Sequence, residues 1–210
     1  AFHVFVLGQI NYPFQLAAKL GIELVFYGEN GELEYAGDPK FTDKPYKPSE
    51  EWLTQHFKGT SFKNLLKYGL NNGYLNKSDF TEGDLTFYDS PDLKELKKNR
   101  IKGKYFFSYF KKWIPQENFY YCTENTGFKA NPIRTEGSYS KYSSLDDKFD
   151  GFHYYLRFIK FGLGRCVEEV SHEIRDKHIT REEGLALMKQ YEGEFPKKYY
   201  QEFLQYLNIS

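Results

Sequence analysis

The chain has 210 residues, enough for one or two domains whose core does not need disulfides. It carries 29 basic and 29 acidic residues, and this zero net charge argues against binding to nucleic acid or to an anionic membrane surface. Two cysteines, Cys122 and Cys166, are too few for a disulfide framework or a four-cysteine zinc site, which favours a reducing compartment. No apolar run approaches the ~20 residues that span a bilayer. We therefore expect a cytoplasmic protein without membrane insertion.

The first 44 residues predict a βαβ unit. Residues 2–7 form a short apolar run typical of a buried strand, Pro13 suits the first turn of a helix, and residues 22–27 form a second β-prone run. Ligands of open α/β sheets bind at the carboxyl ends of strands, so the loop after the second run is a candidate site, with a simple turn as the alternative. The candidate residues are Gly28, Glu29 and Asn30.

The remainder of the chain divides by composition and periodicity. Residues 45–100 predict a mostly helical insertion, and residues 104–110 a third strand. A helix is expected from Pro115, followed by a loop over residues 129–143. From Ser144 the pattern is helical almost to the end. We therefore place the boundaries at 1–44, 45–100, 101–143 and 144–210.

The predicted helix after Ser144 has one apolar face, a second face that is largely aromatic, and a polar stripe. Because burying unpaired charge is costly, the polar stripe must face solvent, pair internally, or line a wet cleft that holds phosphate or sugar hydroxyls. The residues of this stripe are Asp146, Asp150, His153, Arg157 and Lys160. Gly162 and Gly164 indicate a kink, a helix end, or the close approach of another backbone.

Several chemical signatures are absent from the sequence. It contains no Gly-x-Ser-x-Gly, no His-Glu-x-x-His and no Walker P-loop, and we expect both cysteines to be ordinary thiols. Aromatic residues make up 20% of the chain, which fits either stacking on sugar or base rings or simple compositional drift.

Several longer motifs of the chain carry a resemblance to a known family. They are residues 24–30 with Glu34 and Tyr35, then 136–139, 142–155, 159–165, 172–175 and 179–184. In these motifs the chain resembles the N-acetyl sugar amidotransferases of bacterial surface-polysaccharide and flagellar glycan synthesis, from about residue 2 to about residue 207. This family belongs to the ATP-pyrophosphatase, or PP-loop, group related to asparagine and argininosuccinate synthetases.

The resemblance implies an α/β fold: part of a Rossmann-like, PP-loop-type nucleotide-binding domain with a parallel sheet, a helical insertion and a helix-rich C-terminal part. The implied reaction converts a sugar acetamido group to an acetamidino group for lipopolysaccharide O-antigen or flagellar glycan. ATP and Mg²⁺ are the implied cofactors. The implied partners are an N-acetylated sugar or sugar nucleotide and a glutaminase–synthase pair that supplies ammonia.

The family also suggests roles for individual residues. Glu136 and Tyr139 would hold sugar hydroxyls, and Lys148 or Lys160 would neutralise charge on pyrophosphate. The remaining residues on the phosphate and magnesium side are Asp146, Arg165 and, as the Mg²⁺ ligand, Asp147. Asp150 is expected to bind the substrate or the nucleotide.

The sequence departs from the family where it matters for ATP. The Ser-Gly-Gly-x-Asp-Ser loop and the cysteine pairs of the family's N-terminal part are absent. We therefore expect the chain to be the C-terminal portion of a longer enzyme and to be inactive alone. The alternative is a non-catalytic carbohydrate-binding or assembly module.

Overall fold

The computed structural model describes residues 2–34, 37–51 and 62–209, with the side chains of residues 2–4 left aside. The chain forms two compact units, Ala1–Lys112 and Trp113–Ser210. The protein is a mixed α/β structure in which helices predominate and the described strands form one small sheet.

The N-terminal unit contains a three-stranded sheet and several helices. Strand β3 lies in the centre, parallel to β1 and antiparallel to β2. The strands are β1 Val25–Tyr27, β2 Tyr46–Pro48 and β3 Gly103–Phe106. The helices are α1 Phe2–Leu20, α2 Gly31–Glu34, α3 Phe62–Asn71, α4 Glu82–Leu85, α5 Leu93–Lys98 and α6 Phe107–Phe110.

The predicted strand over residues 2–7 is wrong, because this run is the first part of helix α1. Buried Leu7, Ile10 and Phe14 recur at steps of three and four, so one helical face of α1 enters the core. A short apolar run cannot by itself distinguish a buried strand from a buried helix. The predicted βαβ unit is therefore wrong, although the second and third β-prone runs do contain the parallel strands β1 and β3.

Pro13 lies inside α1 rather than in its first turn. A proline has no N–H, so it cannot donate to the carbonyl of Gln9, four residues earlier. The hydroxyl of Tyr27 on β1 donates to that carbonyl at 3.0 Å. This bond satisfies the backbone group that the proline leaves free and ties the helix to the sheet.

The core of the N-terminal unit lies between α1, α5 and the sheet. It contains buried Ile10, Phe14, Ala17, Ala18, Leu96 and Ile101, with Val25 and Tyr27 packed against it. The sheet is mixed rather than parallel, because residues 46–48, predicted as the junction of a loop and a helical insertion, form β2. Pro48 is tolerated there because β2 is an edge strand of the described sheet.

The C-terminal unit is helical, as predicted. Its helices are α7 Pro115–Asn125, α8 Asp150–Phe161, α9 Arg165–Arg175, α10 Arg181–Tyr191 and α11 Tyr200–Tyr206. The predicted start at Pro115 is confirmed, and so is the capping box at Thr180, whose hydroxyl accepts from the N–H of Glu183. Phe152 of α8 stacks on Phe203 of α11 with ring centroids 4.1 Å apart.

The predicted start of the helix after Ser144 is wrong. It begins at Asp150 rather than at Ser144, whose φ of 54° is left-handed and incompatible with a helix. The apolar face is buried only in its first half, since Leu156 and Ile159 are 51% and 61% exposed. Of the alternatives for the two glycines, Gly162 is a helix end, because it caps α8 with a φ of 71°.

A double-mutant cycle tests the bond between α1 and β1. We expect Tyr27→Phe to lower the free energy of unfolding by about 0.5–1.5 kcal/mol, because the Gln9 carbonyl loses its donor. In a Pro13→Ala background the alanine N–H can take over this carbonyl, so Tyr27→Phe should cost less there. Urea denaturation of the four proteins measures the coupling, and equal costs in both backgrounds would contradict the assignment.

Candidate functional site

The loop over residues 131–149 is the framework of the candidate site. It contains neither helix nor strand, so its backbone groups need other partners. The N–H of Asn131 donates to the carbonyl of Lys141 at 2.9 Å, and the N–H of Thr135 donates to that of Ser140 at 2.8 Å. The hydroxyl of Thr135 also donates to the carbonyl of Ser143 at 2.8 Å. These bonds close the loop on itself.

Glu169 and Glu194 fix this loop to the surrounding helices. Glu169 on α9 accepts hydrogen bonds from the hydroxyls of Ser138 and Ser143, both of which are buried. Glu194, after α10, receives two bonds from the guanidinium of Arg134 at 2.6 and 2.8 Å, and one from the N–H of Gly137 at 2.8 Å. Charge-assisted hydrogen bonds thus hold the loop at Arg134 and Gly137 through Glu194, and at Ser138 and Ser143 through Glu169.

A cleft of about 230 Å³ opens between this loop, the start of α8 and the segment before α11. Ligand pockets for drug-sized molecules occupy roughly 300–1,000 Å³, so this cleft suits one part of a substrate, such as a single sugar or phosphate group. Its lining combines apolar and charged side chains. The lining includes Ile133, Leu145, Phe152 and Pro196 together with Arg134, Glu136, Asp147, Lys148, Lys198 and Tyr199.

Three of the predicted site residues meet in this cleft. Lys148 pairs with Glu202 at 2.8 Å, which raises the pKa of Lys148. Asp147 accepts from the N–H of Phe149 at 2.7 Å through Oδ1. Glu136 accepts from two consecutive backbone N–H groups of the segment before α11, so its carboxylate holds the protein chain.

The predicted residue Arg165 lines a smaller pocket beside the cleft. Asp150, which is outside the lining of that pocket, accepts from the hydroxyl of Ser144 and lies 4.0 Å from the guanidinium of Arg165. Arg165 also donates to Glu169 at 2.9 Å through Nε. Burial would lower the pKa of Arg165, but Tyr154 and Glu169 outweigh it and the pKa is raised. Arg165 is therefore a fixed charged cross-link between α8 and α9.

Three other predicted residues of this unit lie outside both pockets. The hydroxyl of Tyr139 donates to Glu173 at 2.9 Å, and burial raises the pKa of Tyr139 and of Glu173. Asp146 and Lys160 are exposed. The polar stripe therefore combines two of its alternatives: Lys160 faces solvent, while Arg157 pairs with Glu168 at 2.7 Å.

The candidate loop of the N-terminal unit follows β1. Gly28 and Glu29 are exposed, but Asn30 is buried, with its amide donating to the hydroxyl of Ser108 at 2.9 Å. Sequence reasoning did not single out Lys104, which lies beside this loop with Nζ 4.2 Å from the ring centroid of Tyr27. Burial lowers the pKa of Lys104, and the carboxylate of Glu29 opposes this shift.

Magnesium fits the cleft only as a partner of phosphate. In the part of the chain that the structure describes, no group of three His, Cys, Asp or Glu side chains could hold a metal ion. Mg²⁺ is commonly bound by one or two carboxylates together with substrate phosphates. Asp147, with one carboxylate oxygen bound to a backbone N–H, can supply one such ligand. Its assignment to Mg²⁺ stays a prediction.

The two cysteines are described as free thiols, and Cys166 is fully buried. Burial raises the pKa of its thiol to about 12, so the thiolate needed for nucleophilic attack is scarce at neutral pH.

A comparison with protein families finds a match for the region that contains most of the cleft. Residues 136–210 match the family described as LPS biosynthesis protein WbpG-like, C-terminal domain. This part of the chain is therefore similar to a WbpG-like C-terminal domain. The resemblance that the motifs indicated is thereby confirmed for this portion, and lipopolysaccharide biosynthesis is the process that the match supports. No match to the chain was found among the curated proteins. None of the described helices is long and apolar enough to cross a bilayer.

The region that matches this family model supplies two cleft residues that sequence reasoning missed. Lys198 and Tyr199 belong to the run Lys197-Lys198-Tyr199-Tyr200, which follows a proline. Two adjacent cations next to two aromatic residues were the available signal. The helical pattern of the C-terminal region accounts for these residues as structural, so the pattern alone does not separate them as site residues.

The clamp formed by Glu194 has a predictable pH dependence. The bond from Arg134 and the bond from the N–H of Gly137 lower the pKa of Glu194 below its unfolded value. The stabilisation is therefore complete above the unfolded pKa and is lost as the pH falls through the lower, folded pKa.

We expect Glu194→Gln to reduce the free energy of unfolding by about 1–2 kcal/mol at neutral pH, because Arg134 loses its charged partner. The difference between mutant and parent should shrink at acidic pH, where Glu194 is protonated. Denaturant unfolding at several pH values measures it. A difference that is the same at pH 7 and at acidic pH would exclude the carboxylate as the source.

Proposed function

We propose that the protein is part of an ATP-dependent N-acetyl sugar amidotransferase that acts in bacterial surface-glycan biosynthesis. The observation that carries this proposal is the WbpG-like domain, named for lipopolysaccharide biosynthesis, with a cleft that gathers Glu136, Asp147 and Lys148. The cleft lies largely in the matched region, because most of its lining residues fall within residues 136–210.

The proposed chemistry begins with a poor electrophile. The oxygen of the sugar acetamido group attacks the α-phosphorus of ATP, and pyrophosphate leaves. Ammonia then adds to the acetamido carbon, the C–O bond breaks, and AMP departs with the original oxygen. Loss of a proton from nitrogen gives the acetamidino sugar. Adenylation is needed because an amide oxygen does not leave by itself.

The cleft residues suit the anionic side of this reaction. Lys148 can neutralise negative charge on phosphate, since 59% of its side chain is exposed and its bond to Glu202 is a surface pair that a ligand can displace. Asp147 can hold Mg²⁺, which supplies charge screening for phosphate oxygens. We propose that an N-acetylated sugar or sugar nucleotide is the substrate and that a glutaminase–synthase pair supplies the ammonia.

A carbohydrate-binding or assembly module is the second candidate, and one feature of the N-terminal unit favours it. One face of the sheet presents an aromatic ring from each strand. Tyr46 stacks on Tyr105 at 5.0 Å, and Phe26, which is 48% exposed, lies 5.5 Å from Tyr105. Aromatic side chains with an exposed face are suited to contacts with the apolar face of a sugar ring.

Turnover separates the two candidates. The protein expressed from its complete reading frame is incubated with ATP, Mg²⁺, ammonium and an N-acetylated sugar nucleotide. We expect equal amounts of AMP, pyrophosphate and a product in which mass spectrometry shows one oxygen replaced by NH. The 210-residue chain alone should give no turnover. Sugar binding without any effect of nucleotide, and without product, would favour the module.

We expect Lys148→Ala to lower kcat/KM by roughly tenfold or more, because the variant loses a charge-assisted contact to phosphate. The melting temperature should hardly change, since exposed ion pairs contribute about 0–1 kcal/mol. Lys189→Ala is the matched control, because Lys189 is an exposed lysine of the same unit that lines none of its pockets. Equal loss of activity and stability in Lys148→Ala would assign Lys148 a structural role.

Lys160→Ala belongs in the same assay. The family resemblance gives Lys160 a role at pyrophosphate, while its side chain lies on the exposed part of α8. A loss of kcat/KM without loss of stability would support that role, and parental kinetics would contradict it.

A further inference from the structure

We propose that the cleft contains an oxyanion subsite formed by Lys198 and Lys148 around the ring of Tyr199, with Glu136 as the positioning residue. The ligand class is a phosphate or carboxylate group. As a subsite for the sugar substrate this inference rests on the proposed function, but binding of the anion itself can be measured without turnover.

Lys198 carries the first step of the argument. Its side chain is exposed and lines the cleft, and it has neither an ion pair nor a hydrogen bond to any residue that the structure describes. The other lining cations differ in this respect, because Arg134 is bound twice by Glu194, and Lys148 is bound by Glu202. Lys198 therefore offers all three N–H donors of its ammonium group to a ligand.

Tyr199 brings the two lysines to one place. Nζ of Lys198 lies 4.8 Å from the centroid of this ring, and Nζ of Lys148 lies 5.3 Å from it. The electron-rich face of an aromatic ring attracts ammonium groups, so this one ring holds both lysines at the cleft. Two ammonium groups beside one cleft favour a ligand that carries negative charge.

Glu136 fixes the segment that presents these groups. Its two carboxylate oxygens accept from the N–H groups of Lys197 and Lys198, each at 3.1 Å. These bonds span about 60 residues of sequence and set where the backbone of Lys198 lies. Glu136 therefore acts through Lys198, as a positioning residue, in contrast to the direct contact with sugar hydroxyls that the resemblance implied.

Apolar side chains in the lining of the cleft complete the subsite. Phe152 and Pro196 line the cleft beside its charged residues, and both are buried. An ion pair at the border of an apolar surface is less screened by water than one in open solvent. The cleft is thus suited to a small group that is charged at one end and apolar at the other, as in a sugar that carries a phosphate or a carboxylate.

The test is calorimetric titration of the 210-residue chain with three probes: inorganic phosphate, glucuronate and neutral N-acetylglucosamine. We expect one or both anions to bind, with affinity that falls as salt rises, and the neutral sugar to bind more weakly. Phosphate binding without glucuronate binding identifies a phosphate subsite, and the reverse identifies a carboxylate subsite. Equal binding of the neutral sugar and the anions would overturn the proposal.

The variants locate the binding. Lys198→Ala should raise the Kd of the anion by about tenfold, and Lys148→Ala should also weaken binding, because each removes a charge-assisted contact. Lys189→Ala should leave the Kd unchanged. Anion binding that survives Lys198→Ala, or that Lys189→Ala weakens equally, would overturn the assignment.

Glu136→Gln tests the positioning role, because glutamine keeps the shape but has one acceptor oxygen instead of two. We expect weaker anion binding in Glu136→Gln and no further weakening when Lys198→Ala is added, since Glu136 acts through Lys198. Additive effects would contradict that role.

If the complete protein forms the acetamidino product while Lys198→Ala leaves its KM unchanged, the subsite fails and the proposed function stands. If the anion binds but no such product forms, the subsite stands and the proposed function fails.

Discussion

The cleft depends on the two carboxylates that hold the 131–149 loop, Glu169 and Glu194. A loop without helix or strand has backbone and hydroxyl groups that must find partners if they are buried. Glu169 satisfies Ser138 and Ser143 from α9, and Glu194 satisfies Arg134 and the N–H of Gly137. An acidic side chain accepts several bonds at once, so each carboxylate fixes more than one point of the loop. The loop that lines the cleft is therefore tied to helix α9 through Glu169 and to the segment after α10 through Glu194.

The sequence predicted well those elements whose ends are marked by local chemistry. Thr180 with Glu183, and Pro115 after an extended residue, marked two helix starts that the structure confirms. It failed where the deciding contact is distant. The strand predicted over residues 2–7 is helix α1 because its apolar face meets a sheet, and Pro13 is accommodated because Tyr27 reaches the carbonyl of Gln9 from β1. The residues that surround Pro13 in sequence do not reveal this contact with Tyr27.

The same distinction holds for the site. Glu136, Asp147 and Lys148 lie close together in sequence, and the structure brings them to one cleft. Lys198 and Tyr199 come from about 60 residues further along, and a backbone-to-carboxylate contact places them there. Sequence spacing cannot reveal such a contact, because backbone N–H groups are present at nearly every position. The sequence therefore indicates Glu136 as a site residue, but it does not reveal that Glu136 binds the backbone N–H groups of Lys197 and Lys198.

The zero net charge excludes a broad electrostatic surface, but it does not exclude a local one. In the described part of the C-terminal unit, many charges cancel in pairs, including Arg157 with Glu168 and Arg165 with Glu169. Such pairs contribute to the fold and contribute little electrostatic potential at the protein surface. An anionic ligand is then attracted mainly by a cationic side chain that has no carboxylate partner among the described residues. In the cleft that cation is Lys198, so a chain without net charge can still select a ligand by its charge.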